Sequence, residues 1–192
     1  MTLITIKRFN LAEYHRLAEL GFLSENNLVE LIKGEIIEMP PKRTLHSTCC
    51  GKLLEELTLL ITGLARLRCQ DPIIIPPDSQ PEPDFVIAKL TDDDYLSSHP
   101  QATDLLLVIE VSDSPIDYDQ TVKLSLYAEA QINHYWIFNL VNPRLETYSE
   151  PYQDLQGNWD YQFKRVFLPN QTVVNLPGFS QICLNLNKVF PM

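Results

Sequence analysis

The run Leu105-Leu106-Leu107-Val108-Ile109-Glu110-Val111 constrains this chain more than any other segment. Six of its seven residues are apolar, so the strand it predicts must be covered on both faces, as at the centre of an α/β sheet. Alternation along that strand puts Leu106, Val108, Glu110 and Ser112 on one face, with the acid at its polar exit. An ionised carboxylate among such neighbours is destabilising unless it is paired, hydrogen-bonded or coordinated to a cation. Glu110 is therefore the first candidate for chemistry. A strand-end acid turned to solvent, or a partner for a buried arginine, is the competing reading.

Other elements follow from spacing and punctuation. Asn10 to Leu20 has helical periodicity closed by Gly21. Leu28–Lys33, Gly34-Glu35 and Ile36–Met39 read as a β-hairpin ended by Pro40-Pro41. Thr44 can cap a helix running to about Thr62, with Leu45, Leu53, Leu54, Leu57, Leu60 and Ile61 as its apolar face. Ala65–Cys69, Pro72–Ile75 and Asp84–Ala88 read as strands. Ser114-Pro115-Ile116-Asp117 predicts a helix start reaching to about Gln131. Tyr135–Asn139 and Leu145–Tyr148 are strands around Asn142-Pro143. Beyond Pro151, Trp159–Phe167, Val173-Val174 and Ile182–Leu186 predict a β-rich tail. With no internal repeat and no long linker, one domain over residues 1–192 is expected, with a core at about 10–150 and the tail at about 151–192.

Asp84 opens its strand after a proline, a position that often serves only as a turn acceptor. Beside Glu110 on a neighbouring strand, with a backbone carbonyl nearby, it forms an oxygen-rich pair suited to Mg²⁺ or Mn²⁺. Lys123 falls on the following helix in a stripe with Ile116, Asp119, Tyr127 and Ala130. It is either a solvated partner of Asp119 at i,i+4 or an ammonium aimed at the carboxylates, where it could orient water or stabilise a pentavalent phosphate. Glu30, between Val29 and Leu31, is a further acid set among apolar neighbours; an outward residue on an edge strand is the alternative. His46 lies in the first turn of its helix, where the positive dipole end disfavours the imidazolium, so packing or capping is its commoner role. Asp92-Asp93-Asp94 lacks the Gly and Glu of a calcium loop and reads as solvated.

Fifteen Lys+Arg against 25 Asp+Glu give a formal charge of −10, which excludes a protein that coats nucleic acid by charge alone. It does not exclude a nuclease, whose site must itself gather carboxylates. No apolar run approaches the ~20 residues of a membrane span, and Met1 to Asn10 has no signal-peptide pattern. Cys49, Cys50, Cys69 and Cys183 form no CxxC knuckle and read as free thiols in a reducing cytoplasm. Phosphate-loop, GxSxG, HExxH and GxGxxG patterns are absent.

Glu30-Leu31-Ile32-Lys33-Gly34-Glu35, Pro83-Asp84-Phe85-Val86, Ile109-Glu110-Val111-Ser112 and Asp119…Lys123…Tyr127…Tyr135-Trp136-Ile137 occur in an order that resembles the Uma-type restriction endonuclease family of the PD-(D/E)XK nuclease superfamily. The resemblance covers about residues 10–150. It implies an α/β (α+β) restriction-endonuclease-like core, a mixed central sheet flanked by helices with active-site acids on adjacent strands. Carried over residue by residue, Asp84 is the PD aspartate and Glu110 the (D/E) residue. Ser112 stands where the superfamily usually has lysine, and Lys123 matches the lysine shifted to the next helix. Glu30 matches the family's early acid, and His46 resembles its helix-start histidine. Gln131 departs from a usual glycine, His134 from Glu, and Asn139 from Asp.

These readings converge on a metal-dependent endonuclease hydrolysing DNA phosphodiester bonds. Its catalytic residues would be Asp84, Glu110, Lys123 and Glu30, with Mg²⁺ (or Mn²⁺) on Asp84, Glu110 and the Val111 carbonyl, and support from His46, Ser112, Asp119 and Tyr127. A cytoplasmic homodimer acting on DNA, away from membranes, is expected. A catalytically silent nuclease-fold binding or regulatory module is the alternative, motivated by the charge of −10 and the scarcity of basic clusters. Glu30, Asp84 and Glu110 are three of the 25 acids; the remaining surplus confines DNA contact to a local cleft or shares it across an oligomer.

Overall fold

The computed structural model describes residues 5–23, 28–113, 117–170 and 173–191. Its centre is a six-stranded mixed sheet in the order β3 (Arg66–Cys69), β4 (Phe85–Ala88), β5 (Leu105–Ser112), β6 (His134–Asn139), β7 (Arg144–Gln153) and β8 (Trp159–Phe167). Only the β5–β6 pair is parallel; the other neighbours in this sheet run antiparallel. The apolar run thus occupies an interior position, as its composition requires.

Both faces of β5 are covered. Leu107, Ile109 and Val111 pack with Cys49, Leu53, Leu57 and Ile61 of α2 (Thr44–Ile61). Leu105 and Val108 pack on the other face with Leu124, Tyr127 and Ala128 of α3 (Leu124–Glu129). A register shift breaks simple alternation: Ala88 pairs with Leu105 but Ile87 with Leu107. The extra residue turns Leu106 toward the α2 face, not onto the face of Val108 as strict period-two reading places it.

Helix α1 (Leu11–Glu19) has a capping box from Asn10 and Glu13. The hairpin β1 (Val29–Ile32) and β2 (Glu35–Glu38) turns through Lys33 and Gly34 at φ 48° and 79°. A Cβ at Gly34 would stand 2.7 Å from Arg8 Cβ, so glycine also permits this close approach. Gly34 N–H to Asp78 O at 2.8 Å and Gln80 N–H to Leu31 O at 2.7 Å fasten the hairpin to the segment leading into β4.

Several expectations change. Arg43, not Thr44, is the N-cap of α2 and makes no side-chain cap bond. Leu45 and Leu54 are exposed, and the inward face is instead His46, Cys49, Cys50, Leu53, Leu57 and Ile61. Pro72–Ile75 is not a strand: Ile74 and Ile75 make isolated bridges only, since proline interrupts a ladder. The Ser114-Pro115-Ile116 helix start lies outside the described residues, and the segment beyond it is a π-helical turn, Asp119–Lys123, feeding α3. Trp159–Phe167 belongs to the central sheet as β8. Beyond it, β9 (Val173–Asn175) and β10 (Cys183–Asn185) pair in the two segments read as strand, and a short helix, α4 (Leu186–Val189), follows. Its Leu186 and Val189 enter the α2-side core.

Candidate active site

The carboxylates at the ends of β4 and β5 meet because those strands are neighbours. Asp84, immediately before β4, donates its N–H to Glu110 Oε2 at 3.3 Å, and its own Oδ2 accepts the Val111 N–H at 2.9 Å. Glu110 Oε1 accepts from Lys123 Nζ at 2.9 Å and from Tyr127 OH at 2.9 Å. Lys123 Nζ also reaches Glu30 Oε1 at 3.0 Å. Glu30, Asp84, Glu110 and Lys123 are all buried, which removes the solvated Asp119–Lys123 pair and the outward Glu30 from consideration. They line one cleft of about 130 Å³ with His46, Glu82, Asp113, Asp119, Ser112 and the Val111 segment.

A π-helical turn, Asp119–Lys123, carries the lysine, and Asp119 and Lys123 both line the cleft; such turns are frequent at functional sites. Ser112 Oγ hydrogen-bonds Asp119, and Tyr135 OH donates to the Asp119 carbonyl at 3.2 Å. The hydroxyl of Ser112 thus holds an acid of the incoming helix, while the cation comes from Lys123.

Electrostatics decide the charge states. Burial pushes the Glu110 carboxyl up to about 8 against the pull of Lys123, and the charges of Asp119, Asp84 and Glu30 add to the rise. Lys123 stays charged despite burial because Glu110 and Glu30 hold it so. Burial would also raise Asp84, but the hydrogen bond and charge of His46, the Val111 N–H and Lys123 together hold it below its ordinary value. His46 Nε2 lies 3.0 Å from Asp84 Oδ2. Burial works against the imidazolium, yet Asp84 outweighs it and His46 is shifted up. The helix end disfavours the imidazolium, but the Asp84 carboxylate lies nearer and decides the direction of the shift.

The donor set fits a hard divalent cation. Oε2 of Glu110 and Oδ1 of Asp84 have only long partners, the Asp84 N–H at 3.3 Å and the Gln70 amide at 3.2 Å. Oε2 of Glu30 is buried with no hydrogen-bond partner among the described residues. Oxygen ligands with several like charges in one cleft are what Mg²⁺ or Mn²⁺ bind, and a cation there would relieve the burial cost of Glu110.

Sequence reasoning missed Gln70, Glu82 and Cys50. Glu82 donates its N–H to Glu30 Oε1 at 2.8 Å, and burial with the Glu30 charge raises its carboxyl. Its position between Pro81 and Pro83 was the available signal, since both prolines fix the backbone around it. Gln70 is a non-glycine residue at φ 55°, invisible without coordinates. Cys50, one turn after His46, places Sγ 3.5 Å from Nδ1 and 3.9 Å from Nε2. Of the three departures, Gln131 sits at φ 59°, the left-handed region that glycine occupies without strain; His134 is half-buried, and Asn139 is fully buried and accepts the Asn142 N–H. None touches the four central residues.

The sequence profile of the family described as "Uma2: Putative restriction endonuclease" matches residues 11–187. A crystal structure of a protein from Anabaena variabilis, described as a "putative nuclease belonging to DUF820", superposes with a TM-score of 0.70. The two chains share 16% sequence identity over 95% of this chain and 97% of the other, a likeness of fold. No curated protein matches the chain. Among the described residues no helix is long and apolar enough to cross a membrane.

Proposed function

This chain belongs to the Uma2 family, and we propose that it is an endonuclease hydrolysing DNA phosphodiester bonds with Mg²⁺ or Mn²⁺. The observation that carries the reading is the convergence of Asp84, Glu110 and Lys123 on one cleft, through contacts of 3.3 Å and 2.9 Å. Asp84, Glu110 and the Val111 carbonyl would hold the ion. When bound, it supplies Lewis-acid polarisation of a phosphate and a lowered pKa for water.

The protein's own groups then have distinct tasks. His46 and the Val111 N–H fix the Asp84 carboxylate; Tyr127 and Lys123 fix that of Glu110. Lys123 brings the positive charge that favours a phosphate in an otherwise acidic cleft and stabilises charge developing on it. Glu30 holds Lys123 from the opposite side. Ser112 and Asp119 hold the helix that carries Lys123. With a net charge of −10, substrate contact is confined to this cleft or shared across a homodimer in the cytoplasm.

Incubation of supercoiled plasmid and of single-stranded DNA and RNA with Mg²⁺ or Mn²⁺, over a range of salt, tests the reading. DNA nicking that stops on chelation and in Asp84→Ala is expected. Intact nucleic acid in every condition would leave the family's fold in use as a silent binding module.

A further inference from the structure

His46 and Cys50 lie one turn apart on the inward face of α2, and the ligand atoms of His46, Cys50 and Asp84 all fall within 4.8 Å of one another. All three residues are more than nine-tenths buried. This donor set differs in kind from the carboxylates of the cleft. A thiol and an imidazole joined to one carboxylate suit a borderline-soft ion such as Zn²⁺ and not Mg²⁺.

The spacing supports the same choice. Ligand atoms around a tetrahedral zinc stand roughly 3.3–3.6 Å apart, given bonds of about 2.0–2.3 Å. Here His46 Nε2 to Asp84 Oδ2 is 3.0 Å, Cys50 Sγ to His46 Nε2 is 3.9 Å, and the ligand atoms of Cys50 and Asp84 lie within 4.8 Å, so a metal on Nε2 requires the Cys50 side chain to rotate toward Asp84. Three protein ligands leave a fourth position for water. The Val111 N–H on Asp84 Oδ2 at 2.9 Å would orient the carboxylate in the metal-bound state. Reading the cysteines alone found no zinc motif, because the partners of Cys50 are a histidine four residues earlier and an aspartate 34 residues later in the chain.

We propose that His46, Cys50 and Asp84 form a zinc site, and that zinc bound there inhibits the protein by taking Asp84 from the hard cation. On binding, the Cys50 thiol loses its proton to solvent and its sulfur becomes a thiolate ligand; His46 binds through neutral Nε2, releasing to solvent any proton it holds there. The inhibitory half rests on Asp84 serving the catalytic ion, as read above. The binding half does not.

Titration with Co²⁺, a spectroscopic stand-in for zinc, separates the two. The full-length wild type should take up one cobalt with a sulfur-to-metal charge-transfer band that Zn²⁺ abolishes by displacement. Cys50→Ser and Cys50→Ala should each lose the band while Cys69→Ser keeps it, with folding of every variant checked by circular dichroism. Affinity should fall on the order of 100-fold when the thiolate is removed. No band in the wild type, or a band that survives Cys50→Ala, overturns the site whether or not the protein cleaves DNA. In Mn²⁺-supported cleavage, stoichiometric zinc should slow the wild type by about tenfold or more and Cys50→Ser by less than about twofold. Equal sensitivity of the two would overturn the inhibitory role.

Discussion

Lys123 Nζ lies 2.9 Å from Glu110 Oε1 and 3.0 Å from Glu30 Oε1, with all three side chains nearly inaccessible to water. One ammonium therefore bridges two buried acids that come from separate elements, β1 and β5. Removing one partner of a buried ion pair leaves charge without compensation, whereas replacing the whole group by neutral residues is far less damaging.

Lys123→Ala is accordingly expected to lose about 3–5 kcal/mol of stability in urea unfolding at neutral pH. The Glu30→Gln/Lys123→Met double variant should recover at least about half of that loss. It should still fail to cleave DNA, because the cleft then lacks its cation. A loss of less than about 1 kcal/mol in Lys123→Ala, the range of exposed pairs, would contradict the buried network.

His46 acts on the cleft through Asp84. Removal of groups that orient a ligand typically weakens metal affinity or activity by about 10–100-fold, and that is the expected effect of His46→Ala on Mn²⁺ binding and cleavage. His46→Asn, which keeps a donor, should restore part of both. Unchanged Mn²⁺ affinity in His46→Ala would show that Asp84 needs no such support.

The sequence made the candidate constellation legible because its members break local rules. Glu110 interrupts an apolar strand, Glu30 sits between apolar neighbours, and Asp84 follows a proline just before a strand. Each is an inconsistency that a fold tolerates where chemistry requires it. What stayed hidden depends on geometry with no local signature. The bulge that turned Leu106, the π turn that carries Lys123, and the meeting of Cys50 with Asp84 are set by tertiary packing. The strand Trp159–Phe167 was legible, but its place in the central sheet was not: its residues are largely exposed on an edge strand, so their pattern carries little sign of the sheet they extend.

Glu146, two strands from Glu110 across Ile137, provides a pH test on a carboxylate that does not line the cleft. Its fully buried carboxylate accepts from Arg144 at 2.7 Å, Tyr148 at 2.8 Å, Gln120 at 2.7 Å and Lys164 at 2.6 Å. Burial alone would raise it, but Lys164, Tyr148 and Arg144 pull it down to about 2 from 4.5. A carboxyl lowered on folding binds fewer protons than in the unfolded chain. Its stabilisation is complete above about pH 5 and is lost as pH falls toward 2. Acid titration of unfolding free energy should therefore show the wild type losing on the order of 2 kcal/mol more than Glu146→Gln across that interval. Parallel curves for the two proteins would contradict the lowered value.

The most direct measurement is calorimetric titration of Mn²⁺ into wild type, Asp84→Ala, Glu110→Gln and the double variant, with plasmid nicking followed in the same samples. The wild type should bind the ion and nick DNA, and each substitution should abolish nicking and weaken binding. Absence of Mn²⁺ affinity in the wild type, or affinity that survives the loss of both carboxylates, would contradict the assignment of Asp84 and Glu110 as the metal-holding pair.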